Sequence, residues 1–279
     1  AKVYFDNPTV TGTENMLMAA TLARGRTDIL NAAREPHVQD LARALQAMGA
    51  RIEGAGTDEI IVDGVDQLGG VEHSVVADYL EAGTYAIAVA AVGGDVVLEN
   101  APSDQLPAVL MKLDEAGAMI EVSGTELRVS RPSEVPLRSV DLTTWVHPGF
   151  PTDLQAQYLA LMSQADGRSV ISEFIFENRF QHVPDLIRMG ARIVVHGRTV
   201  TVFGPCRLEG TDVRAGDIRS GAALVIAALC ATGTTTLREA WHVDRGYEDM
   251  PGKLLSLGAM IERGAQPQAS ARAATGTYE

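Results

Sequence analysis

A few acidic and basic side chains stand at positions that suit the binding of a small anion. Asp153 opens one helix-like run, and Asp217 stands two residues before Arg219 at the start of another. Arg179 and Arg245 occupy comparable places in the chain. Guanidinium groups bind carboxylates and phosphates through paired hydrogen bonds, and a helix N-terminus adds free N–H groups with partial positive charge. The pattern predicts an anion site where several helix starts converge.

The same side chains also have a purely structural interpretation. Thr152 and Gln155 have the spacing of a capping box, in which Asp153 would only favour the first helical turn. Asp217 and Arg219 could form a local ion pair worth roughly 0–1 kcal/mol if exposed. Residue type and spacing therefore leave both interpretations open.

A glycine signature repeats along the chain. An apolar residue, Gly and Ala recur around Gly49, Gly117, Gly190 and Gly258, which are separated by 68, 73 and 68 residues. A further glycine precedes each of them by 23 to 25 residues, at positions 25, 94, 167 and 233. Such a period predicts repeated supersecondary units of about 70 residues.

The residues between these glycines predict the elements of a unit. Apolar runs such as Ala222–Leu229 predict a buried helix that ends with a glycine cap. Val38, Leu41 and Leu45 have helical spacing, which predicts an amphipathic second helix. Ala191–Val202 has β-branched pairs around a glycine, which is typical of a hairpin. We therefore predict an α/β protein whose units run strand, helix, strand, helix, strand, strand.

The repeats also predict how the chain is divided. Residues 1–76 form one unit and residues 77–265 form three, while the small and polar residues 266–279 favour a disordered tail. We expect the last hairpin to be incomplete, because Ala265 replaces the glycine that the other three hairpins have. Since the chain also opens without Met, we interpret it as a piece of a longer protein.

Composition disfavours several other functions. A net charge of −13 argues against nucleic-acid binding, which needs clustered Lys and Arg. Cys206 and Cys230 lack Cys or His neighbours at metal-ligand spacing, and the six histidines form no His-x-His pair, so we expect no metal and no cofactor. The longest apolar run, Ala222–Cys230, is too short for a membrane span, and no signal peptide is recognisable, which predicts a cytoplasmic protein without a membrane partner.

Five longer motifs resemble one known family. They are Thr11–Asn15, Asn31–Pro36, His147–Gln157, Phe176–Phe180 with His182–Pro184, and His242–Glu248. Together they resemble the UDP-N-acetylglucosamine 1-carboxyvinyltransferases, enolpyruvyl transferases that open peptidoglycan synthesis. The resemblance runs in one register from about Phe5 to about Arg263. It implies the inside-out α/β barrel fold with two lobes, the first unit in one lobe, the other three in the second, and the ligands in the cleft between them.

The resemblance also implies roles for individual residues. Asp153 would contact the 3-hydroxyl of UDP-N-acetylglucosamine and take its proton. Asp217, Arg219 and Arg245 would face phosphoenolpyruvate, whose carboxylate and phosphate suit a planar guanidinium. The implied contacts to the nucleotide sugar are Asn7, Pro8, Thr9, Val10, Ile175, Phe176 and Arg179. Many relatives have Lys where this chain has Asn7, which removes a direct charge pairing with the nucleotide there.

The implied reaction moves enolpyruvyl to the sugar hydroxyl and releases phosphate, which requires an acid as well as a base. In the family a Cys on a flexible loop usually supplies the acid, and neither Cys206 nor Cys230 matches that loop. We therefore expect no phosphate release by this chain alone.

Two interpretations stay open. The first is the C-terminal part of such an enzyme, partnered by a missing N-terminal half or another copy. The second is a non-catalytic nucleotide-sugar-binding or scaffold module. The shikimate-pathway enolpyruvyl transferase shares the fold, but its signatures are not the motifs above.

Overall fold

A computed structural model of the protein describes residues 1–264. Residues 2–63 form the first sheet and the two helices that accompany it. Its elements are β1 (Lys2–Tyr4), α1 (Val10–Thr21), β2 (Arg26–Leu30), α2 (Pro36–Ala47), β3 (Arg51–Glu53) and β4 (Glu59–Asp63). The strand order is β1-β2-β4-β3, with β1 parallel to β2 and the other pairs antiparallel. Leu17, Ile29, Val38 and Ile60 pack with their neighbours into a core of their own.

Three further sheets follow along the chain. The second group is α3 (Tyr79–Val92), β5 (Gly94–Leu98), α4 (Pro107–Ala116), β6 (Met119–Ser123) and β7 (Glu126–Arg131), in the order β5-β7-β6. The third is β8 (Leu142–Thr143), α5 (Gln155–Met162), β9 (Gly167–Ser172), α6 (Val183–Arg188), β10 (Arg192–His196) and β11 (Thr199–Gly204), in the order β10-β11-β9-β8. The last is the parallel pair β12 (Asp212–Arg214) and β13 (Thr236–Arg238) with α7 (Ile218–Cys230), α8 (Trp241–Asp244) and α9 (Met250–Ser256).

Helices α3, α5 and α7 pack against one another at the centre of the second core. Every residue of α5 is buried, as its apolar sequence predicts. Close approach requires glycine at two places: a Cβ on Gly83 would lie 2.5 Å from Leu154 Cδ1, and one on Gly221 would lie 2.5 Å from Val243 Cγ2. The start of α3 thus packs against the residue before α5, and Arg219 of α7 reaches Asp153 beside the same place, whereas α1 packs in the separate first core.

The α/β class and the predicted hairpin are both confirmed, since β10 and β11 pair antiparallel with His196 opposite Thr199. No closed barrel is present among residues 1–264, where the strands form separate sheets. The expected strand ahead of α3 is absent from the described residues. There the N–H of Val76 donates to Asp40 Oδ2 at 3.4 Å instead of to a neighbouring strand.

The two sets of glycines differ in role. Gly49, Gly117, Gly190 and Gly258 have φ between 93° and 109° at the ends of the second helices, a region open to glycine at little cost. A glycine caps only one of the first helices, α3, where the cap is Gly93, the residue before the predicted Gly94. For α1, α5 and α7 the predicted glycine cap is wrong, since the caps are Leu22, Ser163 and Ala231. All four upstream glycines have positive φ where the chain enters the next strand: Gly25 and Gly233 precede β2 and β13, and Gly94 and Gly167 are the first residues of β5 and β9.

Within residues 1–264, no helix has the length and apolar character needed to cross a membrane. The expected tail at residues 266–279, and the incomplete hairpin at Ala265, lie outside the described residues.

Candidate functional site

Four charged side chains meet beside the starts of α5 and α7. Asp153 Oδ1 accepts hydrogen bonds from Arg179 Nη1 at 3.2 Å and from Arg219 Nη1 at 3.1 Å. Arg219 Nη2 donates to Asp217 Oδ2 at 2.6 Å. Each guanidinium has five N–H donors, so the two carboxylates hold both groups in place and leave further donors for a ligand.

Asp153 is positioned by the buried carboxylate of Glu173. The residue before Asp153 is Thr152, whose hydroxyl donates to Glu173 Oε2 at 2.9 Å. The other oxygen of Glu173 accepts the backbone N–H groups of Ile175 and Phe176 at 2.8 and 3.0 Å. Glu173 is only 1% exposed and therefore ties the turn that carries Asp153 to the segment that carries Phe176 and Arg179.

The predicted capping box at Thr152 and Gln155 is wrong. Thr152 begins a 3-10 turn, and the residue that precedes α5 is Leu154, which makes no side-chain capping bond. The hydroxyl of Thr152 is used by Glu173 instead, a partner 21 residues away.

The Arg179 guanidinium lies 3.9 Å above the centre of the Phe176 ring, within the range of a cation–π contact. Its side chain is 12% exposed. Burial, together with the positive charge of Arg219, lowers the pKa of Arg179 against the opposing effect of Asp153. The site therefore holds two guanidinium groups close together in a partly desolvated place, where their attraction for an anion is stronger than in water, and two carboxylates balance their charge.

Asp217 combines a structural and an electrostatic role. It caps α7 by accepting the Ser220 N–H at 2.7 Å, while Ser220 Oγ accepts the Asp217 N–H at 2.8 Å. Burial alone would raise the pKa of Asp217, but the Ser220 N–H and the charge of Arg219 hold it below its usual value. The local ion pair considered from the sequence is confirmed, and the same Arg219 also reaches Asp153.

A cavity of about 380 Å³ opens between the starts of α5 and α7 and the segment before α6. It brings together four of the residues that the resemblance assigns to ligand binding, Phe176, Arg179, Asp217 and Arg219, whereas Asp153 is bonded to these arginines but is not itself in the lining. The complete lining is Thr152, Gln155, Ala156, Phe176, Glu177, Asn178, Arg179, Gln181, His182, Asp217, Arg219 and Ser220.

Two buried lining residues were missed from the sequence. Gln155 and His182 are 1% and 3% exposed, and the Nε2 atom of each has no hydrogen-bond partner within residues 1–264. Burial lowers the pKa of His182 to about 4, so its ring is neutral near pH 7. His182 belongs to a motif quoted above, but nothing local in the sequence indicates that it is buried.

Other predicted residues lie outside this cavity. Arg245 is exposed after α8 and makes no ion pair with any residue in the described part of the chain. Thr9 caps α1 by accepting the Gly12 N–H at 3.3 Å. Asn7 and Pro8 lie in the connection between β1 and α1, and Val10 is the first residue of α1. The backbone N–H of Ile175 is already bonded to Glu173.

Neither cysteine lines the cavity. Cys206 is 7% exposed and donates to the Phe203 carbonyl at 3.0 Å. Burial raises the pKa of Cys230 to about 12, which keeps that thiol protonated. No cluster of three His, Cys, Asp or Glu side chains that could hold a metal ion occurs among residues 1–264.

Residues 1–254 match the EPSP synthase (3-phosphoshikimate 1-carboxyvinyltransferase) family, and the chain belongs to that family. Within that family its relatives include the UDP-N-acetylglucosamine 1-carboxyvinyltransferases of Sorangium cellulosum, at 55% identity over 264 residues, and of Myxococcus xanthus, at 52% over 261 residues. Each alignment covers 94% of this chain and 62% of the relative. The chain thus spans about three fifths of the length of these relatives.

Solved structures support the fold. The enolpyruvyl transferase NikO from Streptomyces tendae matches with a TM-score of 0.82 and 30% identity, over 90% of this chain and 60% of NikO. EPSP synthase from Acinetobacter baumannii matches with a TM-score of 0.65 over 88% of this chain and 60% of its own. At 18% sequence identity, this match supports a similarity of fold and nothing more.

Proposed function

We propose that this chain serves the transfer of enolpyruvyl from phosphoenolpyruvate to the 3-hydroxyl of UDP-N-acetylglucosamine, with release of phosphate, as in peptidoglycan synthesis. The observation that carries the proposal is that Asp153 accepts hydrogen bonds from Arg179 and Arg219, the two arginines that line the cavity. A carboxylate beside two guanidinium groups can accept a proton from a hydroxyl while the guanidinium groups bind an anion next to it. The names of the relatives supply the particular substrate.

The proposed base is Asp153. Its Oδ1 atom is occupied by both arginines, while no hydrogen bond from residues 1–264 reaches its Oδ2 atom. Oδ2 would accept the sugar hydroxyl and take its proton as the oxygen attacks. Arg219 would bind phosphoenolpyruvate and stabilise the negative charge that develops on it, while Arg179, on the other side of Asp153, would contact the nucleotide sugar. Asp217 would hold Arg219 in the orientation that this requires.

The remaining predicted residues complete the proposal. Asn7, Pro8, Thr9 and Val10 would contact the nucleotide from the first sheet, and Ile175 and Phe176 from the second core. Arg245 would face phosphoenolpyruvate together with Arg219.

We also propose the division that the repeats predict. One unit at residues 1–76 and three at residues 77–265 would belong to two lobes of an inside-out α/β barrel, with the crossing near residue 77. The separate first core, built from residues within 1–76, supports this division. A cytoplasmic location and a partner that supplies the acid are part of the same proposal.

The second candidate is a nucleotide-sugar-binding module without turnover. The observation that favours it is the absence of Cys206 and Cys230 from the described cavity lining. Neither candidate should release phosphate as this chain alone. A phosphate-release assay with both substrates and an added N-terminal half separates them, because turnover in that mixture would exclude the module.

Titration calorimetry tests the substrate class. UDP-N-acetylglucosamine and shikimate 3-phosphate should be titrated into the same preparation of the full chain. We expect heat from the nucleotide sugar and none from shikimate 3-phosphate. The reverse order of affinities would overturn the proposed substrate.

A further inference from the structure

A buried hydrogen-bonded cluster joins α3, α5 and the segment that follows α8. Gln157 Nε2 donates to the Asp153 carbonyl at 3.0 Å and lies 3.2 Å from both Thr84 Oγ1 and the Tyr247 hydroxyl. The Thr84 and Tyr247 hydroxyls are 2.9 Å apart. Gln157, Thr84 and Tyr247 are 0%, 1% and 6% exposed, so water does not reach these groups freely.

Each end of this cluster is close in sequence to a charged residue of the proposed site. At one end, Gln157 is bonded to the backbone of Asp153 itself. At the other, Tyr247 follows Arg245 by two residues. The residue between them, Gly246, packs so closely on α7 that a Cβ would lie 2.7 Å from Ile218 Cγ2. The segment that carries Arg245 is therefore held against the starts of α5 and α7.

We propose that Gln157, Thr84 and Tyr247 are positioning residues that fix the Arg245 segment relative to Asp153. Gln157 Nε2 and the two hydroxyls are paired with one another, although Gln157 Oε1 has no hydrogen-bond partner among residues 1–264. Displacing either segment would leave these buried groups unpaired as well, which favours a single arrangement. Asp153, which the proposed function assigns to the sugar hydroxyl, and Arg245, which it assigns to phosphoenolpyruvate, are then held at a fixed distance from each other. The coupling between the two segments does not depend on which substrate binds. The effect of the cluster on ligand binding rests on the proposed function.

Hydrogen exchange measured by mass spectrometry on the full chain tests the coupling. Tyr247→Phe removes the hydroxyl and keeps the ring. Exchange should become roughly fivefold to tenfold faster in peptides spanning residues 150–158, which corresponds to the loss of about one neutral hydrogen bond. Those peptides lie some 90 positions away in the sequence, as the separation of Gln157 from Tyr247 shows.

Tyr85→Phe is the matched control. Tyr85 is also buried on α3, but its hydroxyl has no hydrogen-bond partner among residues 1–264, so its removal should leave exchange at residues 150–158 unchanged. If Tyr247→Phe does not fold, Thr84→Val removes a second hydroxyl of the cluster at nearly constant volume and should speed exchange in the same peptides. Equal exchange in the wild-type chain and in the cluster variant would overturn the coupling, as would a change confined to residues near the substitution.

Calorimetry with phosphoenolpyruvate separates this inference from the proposed function. Tyr247→Phe should weaken binding several-fold while Tyr85→Phe leaves it unchanged, a difference that a general loss of stability would not produce. Absence of binding to the wild-type chain would refute the proposed function, whereas the exchange experiment would still decide whether the cluster couples the two segments.

Discussion

The stability of this chain should depend on pH through one buried ring, that of His182. The pKa of His182 is lowered to about 4 from 6.5, chiefly because burial disfavours the charged ring. The unfolded chain takes up a proton as the pH falls below 6.5, and the folded chain does not. Folding stability is therefore fully present above pH 6.5 and is lost as the pH falls toward 4.

The size of the effect follows from the difference between the two pKa values. Each pKa unit corresponds to about 1.4 kcal/mol, so this ring should account for a loss of about 2 kcal/mol between pH 7 and pH 5. His182→Gln removes the titrating group and should remove that part of the pH dependence. Only the change between the two pH values is compared, so a constant cost of the substitution cancels.

Urea unfolding at pH 7 and pH 5 measures this quantity for the wild-type chain, His182→Gln and the control His196→Gln. His196 lies exposed at the end of β10, and its variant also lowers the histidine count by one. The free energy of unfolding should fall by about 2 kcal/mol less in His182→Gln than in the other two proteins. An equal fall in all three would refute the reasoning about burial of this ring.

Two further predictions concern helix ends. Arg131 is 5% exposed and donates to the Ala90 and Ala91 carbonyls at 2.7 and 3.0 Å at the end of α3. Arg131→Met should therefore lower the free energy of unfolding, measured in urea, by about 3 kcal/mol. An unchanged midpoint of urea unfolding would contradict this role. Asp217→Ala and Asp78→Ala each remove a side-chain cap, from α7 and α3, and each should cost about 1 kcal/mol. Only Asp217→Ala should also weaken phosphoenolpyruvate binding in calorimetry, and equal binding by both variants would argue against a site at Arg219.

Local features of this fold were predictable from the sequence. The glycines at positions 49, 117, 190 and 258 stand where the backbone needs a positive φ, and that requirement depends on a single residue. The hairpin of β10 and β11 was equally predictable, because its β-branched pairs and its turn lie within a dozen residues. Arg179 and Arg219 were identified for the same reason, since helix starts are marked locally in the chain.

The parts that escaped prediction depend on contacts between distant residues. Thr152 has the spacing of a capping residue, but Glu173 competes for its hydroxyl from 21 positions away. Glu173 itself is an acid that follows a β-branched run, and only the folded chain shows that it binds two backbone N–H groups. The pairing of Gln157 with Tyr247 spans 90 residues and leaves no trace in either segment alone.

The most direct test of the central claim is the affinity of the chain for UDP-N-acetylglucosamine before and after removal of the Asp153 carboxylate. Calorimetry should compare the wild-type chain with Asp153→Ala and with Asp95→Ala, which removes an exposed carboxylate from β5 that is paired with Arg128 and not with either arginine of the site. We expect measurable heat from the wild-type chain and Asp95→Ala, and none from Asp153→Ala. Binding of equal strength by all three proteins would contradict the assignment of Asp153 to the sugar hydroxyl.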